Sequence, residues 1–143
     1  MTIGALLTRN ANKFPQKTAV VSETSSLTFK ELNERVNRLA HALRRRGLER
    51  GDRVGALVHN CHQFIELYFV SAKTGAIFCP YNNHLKQWEL KDIINYSSPK
   101  FLFLDDDFAT SVIDLRPQLS LTRTYVSLQR PQQGFMEDYQ GLI

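Results

Sequence analysis

The chain is short of several things, and each shortage excludes a class of protein. It has only two cysteines, Cys61 and Cys79, in 143 residues. Two cannot build the disulfide framework of a small secreted domain. Both lie inside apolar runs, so the expectation is buried, reduced thiols and a cytoplasmic location. No apolar run approaches the roughly 20 residues that span a bilayer. The N-terminus lacks a basic stretch followed by a long apolar core, so it does not read as a signal peptide. Clustered glycines are missing too. Gly47, Gly51 and Gly55 fall in the order helix, turn, strand. A phosphate-cradling loop needs glycines bunched between a strand and a helix, and the Walker type also needs a lysine. These three are read as a helix stop and a turn. No Gly-x-Ser-x-Gly elbow occurs, and no histidine sits in an evident triad. No internal repeat or low-complexity tract is seen.

Enough apolar material is present for a core. The chain is 43% hydrophobic and 22% charged, which suits one compact domain of this length. The net charge of +4 is modest. Its densest cluster is Arg44, Arg45, Arg46, Arg50 and Arg53. Such a cluster can meet nucleic acid, anionic lipid or phosphate. The simpler reading is a solvated helix end, where cations suit the negative end of the dipole. No interleaved aromatics support nucleic acid.

Periodicity orders the elements. An amphipathic helix is expected within residues 1–17, ending near Pro15, with Leu6, Leu7, Ala11 and Phe14 on one face. Thr18 to Ser22 and Ser26 to Phe29 flank a polar turn and read as a hairpin. Thr28 and Glu31 form a capping box for a helix whose stripe is Leu32, Val36, Leu39, Ala40 and Leu43. Gly47 stops it. Val54 to His59 reads as a buried strand. Asn60 is expected to cap the next helix, which ends at Gly75. Ala76 to Cys79 is a strand stopped by Pro80. A helix over Gln87 to Tyr96, a strand over Phe101 to Leu104, a helix from Asp107 to Leu115 and a strand over Arg123 to Leu128 follow. Residues 131–143 read as an irregular tail after a 1–130 domain. Strands alternating with helices predict an α/β fold with a largely parallel sheet and helices on both faces.

Two clusters invite a chemical reading. His59-Asn60-Cys61-His62 contains zinc ligand types, but its spacing matches no common structural site and no second ligand pair exists. A strand end and helix start explain it better. Asp105-Asp106-Asp107 follows a buried strand, where carboxylates can hold Mg²⁺ or accept a phosphoryl group. The second aspartate and the lysine of a receiver domain are absent, so a loop and helix start is preferred. From the residues alone, no catalytic, cofactor-binding or metal-binding residue is assigned.

A series of motifs goes further. Leu27-Thr28-Phe29-Lys30-Glu31-Leu32, then Gly51-Asp52-Arg53-Val54, Asn60, and Lys73-Thr74-Gly75-Ala76-Ile77-Phe78-Cys79-Pro80 occur in order. Asn82, Asn83 and the Glu89-Leu90 step follow. The series resembles the opening of the adenylate-forming (AMP-binding) superfamily, which includes acyl-CoA synthetases, peptide-synthetase adenylation domains and luciferases. Pro80-Tyr81-Asn82-Asn83 looks more like the acyl-CoA synthetases, since adenylation domains usually have an aspartate after the proline. His84 stands where the family often has an arginine.

The resemblance implies the first part of that family's N-terminal α/β domain. It implies a parent ligase that activates a carboxylic acid, expected to be fatty, with ATP to an acyl-adenylate and transfers it to coenzyme A. ATP, Mg²⁺ and coenzyme A are thus implied for the parent and none for residues 1–143. The family's phosphate loop, ribose-binding aspartate and catalytic lysine come later than Ile143. The chain is therefore expected to be inactive alone, with the remainder of the parent enzyme as its partner. Homo-oligomers through an exposed sheet edge or apolar face are a further expectation, and a nucleic-acid partner is not expected. The alternatives are a stand-alone α/β binding or assembly module without catalysis, and a nucleotide-binding domain of another family.

Overall fold

The computed structural model describes residues 1–143. Its longest helix, α2 (Phe29–Arg45), starts where the spacing places it. Thr28 Oγ1 accepts a hydrogen bond from the Glu31 amide at 3.2 Å, and Glu31 Oε2 accepts one from the Thr28 amide at 2.8 Å. The Thr28 amide and hydroxyl, both donating to Glu31 Oε2, hold the Glu31 carboxyl below its usual range. The stripe from Leu32 to Leu43 is buried as its period requires. Before it come α1 (Ile3–Lys13) and an antiparallel hairpin of β1 (Thr18–Val21) and β2 (Ser26–Thr28). After it come β3 (Arg53–Leu57), α3 (His62–Thr74), β4 (Ile77–Pro80) and α4 (Gln87–Ser97). The chain closes with β5 (Phe101–Leu104), α5 (Ala109–Leu115), β6 (Thr124–Ser127) and β7 (Met136–Asp138).

Five strands form one parallel sheet in the order β4-β3-β5-β6-β7. The α/β class with helices on both faces is what the alternating pattern predicts. Period-2 alternation divides each strand between two cores. Val54, Ala56, Phe101, Phe103 and Val126 join the side chains of α1, α2 and α3. Leu57, Leu102, Leu104, Tyr125 and Met136 join those of α4 and α5. All four residues of β5 are buried, so its apolar run is continuous.

Several details depart from the sequence reading. Helix α1 stops at Lys13, and Thr2, unforeseen, caps it by accepting from the Ala5 amide at 3.2 Å. Asn60 does not cap α3. Cys61 occupies that position in an extended conformation, leaving Asn60 exposed one residue outside. Gly55, by contrast, lies inside β3, within the strand expected over Val54 to His59. A Cβ there would meet Tyr81 Cε2 at 2.8 Å and Pro99 Cβ at 3.1 Å, so close packing requires the glycine. Gly75 ends α3 as expected, with φ of 80°, in the left-handed region that glycine enters freely. The tail after Arg130 is not wholly irregular. Met136–Asp138 pairs with β6, and Tyr139 and Leu142 are buried against α2 and α3. A three-residue strand is too short to show alternation, and the polar stretch before it masks the apolar residues that follow.

Candidate functional site

Strand order singles out one place. From β3 the chain crosses through α3 to β4 on one side, then through α4 to β5 on the other side of β3. Ligands in open α/β sheets bind outside the carboxyl ends of the strands at such a reversal. The residues there are His59 to His62 after β3 and Asp105 to Asp107 after β5. With the β1–β2 hairpin and Gln129 they line a cleft of about 1450 Å³.

Asp105 organises the cleft floor. It is buried, and its Oδ2 accepts the His59 backbone N–H at 2.5 Å. The same oxygen lies 3.0 Å from His59 Nδ1. Its Oδ1 accepts from Gln129 Nε2 at 3.0 Å. A carboxylate can only accept, so Nδ1 of His59 carries a proton and donates to Asp105. The ring stacks on Phe108 with centroids 4.9 Å apart, while half of the His59 side chain stays exposed. Asp107 Oδ2 is 3.9 Å from Nδ1 and mostly solvated. Asp106 is tied to β6 by Ser127 Oγ, which donates to its Oδ1 at 3.0 Å.

The neighbouring residues point elsewhere. His62 Nδ1 meets Ser25 Oγ at 3.1 Å, bridging α3 to the hairpin. Burial lowers the His62 pKa. Burial also pushes the Cys61 thiol up, and the Asp105 charge adds to the shift. A thiol held protonated is a poor nucleophile. No group of three or more His, Cys, Asp or Glu side chains is arranged to hold a metal ion. The aspartate triplet does begin a helical turn, Asp106–Phe108, but its first member is a buried anchor for His59.

The cleft chemistry does not suit a polyphosphate. Its lining contains Asp105, Asp106, Asp107 and Glu23, and no lysine or arginine. A triphosphate would meet like charge there. No step of ATP, Mg²⁺ or coenzyme A chemistry is assigned to residues of this chain.

A second unforeseen polar group centres on α3 itself, one turn beyond His62. Glu66 is fully buried. Arg35 Nε donates to its Oε1 at 2.5 Å, and the Tyr139 hydroxyl donates to Oε2. Burial, then the Glu66 charge, raise the Tyr139 pKa well above 10. Lys73 Nζ donates to Asn33 Oδ1 at 2.6 Å, Asn37 Oδ1 at 2.8 Å and Thr8 Oγ1 at 3.0 Å, joining α1, α2 and α3. The motif residues Thr28, Glu31 and Gly75 are thus caps, and Lys73 is a staple between helices.

Known proteins with this arrangement are numerous. The fatty acid–[acyl-carrier-protein] ligase ScoC of Streptomyces coeruleorubidus is 37% identical over 103 residues, 72% of this chain and 20% of that protein. The 3-oxocholest-4-en-26-oate–CoA ligase of Rhodococcus rhodochrous is 30% identical over 129 residues, 90% of this chain and 23% of that protein. The chain spans about one fifth of the length of the curated relatives it matches. Among solved structures, the anthranilate CoA ligase AuaEII superposes with a TM-score of 0.94 at 22% identity, over 99% of this chain and 27% of that one. The N-terminal domain of FACL13 from Mycobacterium tuberculosis gives 0.84 at 26% identity, over 89% and 33%. The family described as AMP-binding enzyme matches residues 7–140. The chain therefore belongs to the AMP-binding enzyme family and corresponds to the N-terminal portion of its members.

Proposed function

We propose that this chain is the opening scaffold of a longer ligase that joins a carboxylic acid, a fatty acid by preference, to coenzyme A at the expense of ATP. The acid attacks the α-phosphorus of ATP, pyrophosphate leaves, and a thiol then displaces AMP from the acyl carbon. The 143 residues alone do not catalyse either half. The reading rests on the relatives, which are acyl-CoA and acyl-carrier-protein ligases about five times as long. The acidic cleft, whose lining includes no lysine or arginine to meet a triphosphate, supports the inactive state of the chain on its own. A cytoplasmic location and the rest of the ligase as partner belong to the same proposal.

ATP–pyrophosphate exchange on the isolated chain, across a panel of fatty acids, is expected to show no turnover. Robust exchange would overturn the inactive-scaffold reading. The reading frame is expected to continue beyond codon 143 with a loop rich in Thr, Ser and Gly. A stop codon there would favour the second reading, a stand-alone binding or assembly module. That reading has one observation behind it. Both cores are closed by helices of the chain itself.

A further inference from the structure

Folding divides the arginine cluster of the sequence. Arg44 and Arg45 lie in the last turn of α2, where the helix dipole accounts for them, and Arg46 pairs with Glu137. Arg50 and Arg53 lie beyond the helix, at the amino end of β3. The sheet sets Arg53 in a row with three other strand starts. It pairs with Ile77, its carbonyl accepts the Lys100 amide at 2.9 Å, and the Lys100 carbonyl accepts the Arg123 amide at 3.3 Å. Ile77, Arg53, Lys100 and Arg123 thus cross the amino ends of β4, β3, β5 and β6, over about 14 Å at roughly 4.8 Å per strand. Apolar side chains stand beside that row. Helices α4 and α5 each run from one strand's carboxyl end back to the next strand's amino end, so the last turn of α4 and the segment after α5 reach the same place. Asn95 Nδ2 joins them by donating to the Gln118 carbonyl at 2.9 Å. Tyr96 is 88% exposed there, Leu121 60% and Ile77 49%. Alternation turns Arg53 and Arg123 toward the face of Leu57 and Tyr125, which α4 and α5 cover. We propose that this end of the sheet, on the α4 and α5 side, rests on an anionic lipid bilayer.

Charge and side-chain chemistry select the occupant. The acids at this end are Glu49 and Asp52, while Asp92 and Asp114 sit one turn before Tyr96 and Gln118. Asp52 is already taken, by Lys100 at 2.9 Å and by the Glu49 amide at 2.8 Å. Arg50, Arg53 and Arg123 have no carboxylate within 4.0 Å and are left to meet lipid phosphates. A tyrosine suits the headgroup level, where its ring is dry and its hydroxyl wet. Leu121 and Ile77 are stabilised by entering the acyl boundary, as on other proteins that lie on a membrane without crossing it. Nucleic acid offers nothing to these two aliphatic side chains. A second copy meeting the same face would bring the arginines together.

Flotation of the 143-residue chain with lipid vesicles tests the proposal. Mixed phosphatidylglycerol and phosphatidylcholine vesicles should carry it, and phosphatidylcholine alone should not. Arg53→Gln with Arg123→Gln should weaken partitioning about twentyfold, each cation near an anionic surface being worth about fivefold. Tyr96→Ser with Leu121→Ser should weaken it about tenfold with the charge unchanged. Arg9→Gln with Arg38→Gln removes two cations from α1 and α2, across the sheet, and should change it less than about twofold. All six side chains are exposed, so circular dichroism should show every variant folded. Failure to float with the anionic vesicles overturns the proposal, and so does an equal loss in the two arginine pairs. Undiminished binding by the serine pair overturns it in favour of an acidic macromolecule. Tighter binding of single-stranded DNA through Arg53 and Arg123 overturns it in favour of nucleic acid. ATP–pyrophosphate exchange is a separate measurement, so this proposal and the ligase reading can fail independently.

Discussion

Facing α1, α2 and α3, the sheet residues Val54, Ala56, Phe101 and Phe103 share their core with a buried carboxylate. Facing α4 and α5, Leu57, Leu102 and Leu104 share theirs with aliphatic side chains and two tyrosines. The same strands build both. On the first face, Glu66, Arg35 and Tyr139 must meet for any of them to be buried at tolerable cost. That ties α2, α3 and the segment after β7 into one arrangement. On the second face the only comparable contact is Tyr81 to Ser97, whose hydroxyls lie 2.5 Å apart. Ser97 Oγ donates to the Ile93 carbonyl at 2.8 Å, which makes Tyr81 the donor. One face is specified by polar partners, and the other by shape.

Removing Glu66 should break that contrast most sharply. Glu66→Ala is expected to cost about 3–5 kcal/mol in urea unfolding, because Arg35 and Tyr139 lose a buried partner. A cost under about 1 kcal/mol would mean the first face is held by packing alone. Next comes Tyr139→Phe, at about 2 kcal/mol for a hydrogen bond to a charged group. On the second face, Ile94→Val should cost about 1 kcal/mol, since only a methyl group is lost from a fully buried site. Tyr81→Phe should cost least, about 0.5 kcal/mol.

Alkaline titration sharpens the comparison further. Burial raises the Tyr81 pKa to about 12 and, with Glu66, raises that of Tyr139 well above 10. A raised value in the folded state favours the neutral phenol there. The contribution is therefore complete below about pH 10, the unfolded value, and is lost as pH climbs toward the folded one. Unmodified protein should lose stability between pH 10 and 12. Tyr139→Phe should flatten that fall more than Tyr81→Phe does. Equal flattening would erase the distinction between the faces. The smallest effect is expected at the sheet edge. Strand β4 has no partner beyond it and exposes Ile77, so light scattering at high concentration should detect weak self-association. A strict monomer would count against it.

Much of the scaffold was legible because its signals are local. Thr28 and Glu31 are three residues apart, and the stripe from Leu32 to Leu43 repeats every turn. The buried run Phe101 to Leu104 needs no partner to be recognised as a strand. The candidate site was less legible. His59 and Asp105 each stood out as the end of an apolar run, but nothing within either run points to the other. Nothing in the local sequence separates Glu66 from a solvated helix charge, and Tyr139 lies in the stretch that reads as an irregular tail.

Local signals in the chain were enough for the family, for the order of helices and strands as far as β6, and for which helices must bury a face. Caps, periods and turn glycines act over a few residues, so they can be read one segment at a time. The pairs His59–Asp105 and Glu66–Tyr139, which join residues 46 and 73 positions apart, exist only once the chain has folded. The tertiary structure also decided that Met136–Asp138 completes the sheet. Those contacts depend on strand order, because the reversal between β3 and β5 brings two distant strand ends together. The segment after β6 becomes core only once α2 and α3 have formed the surface it covers.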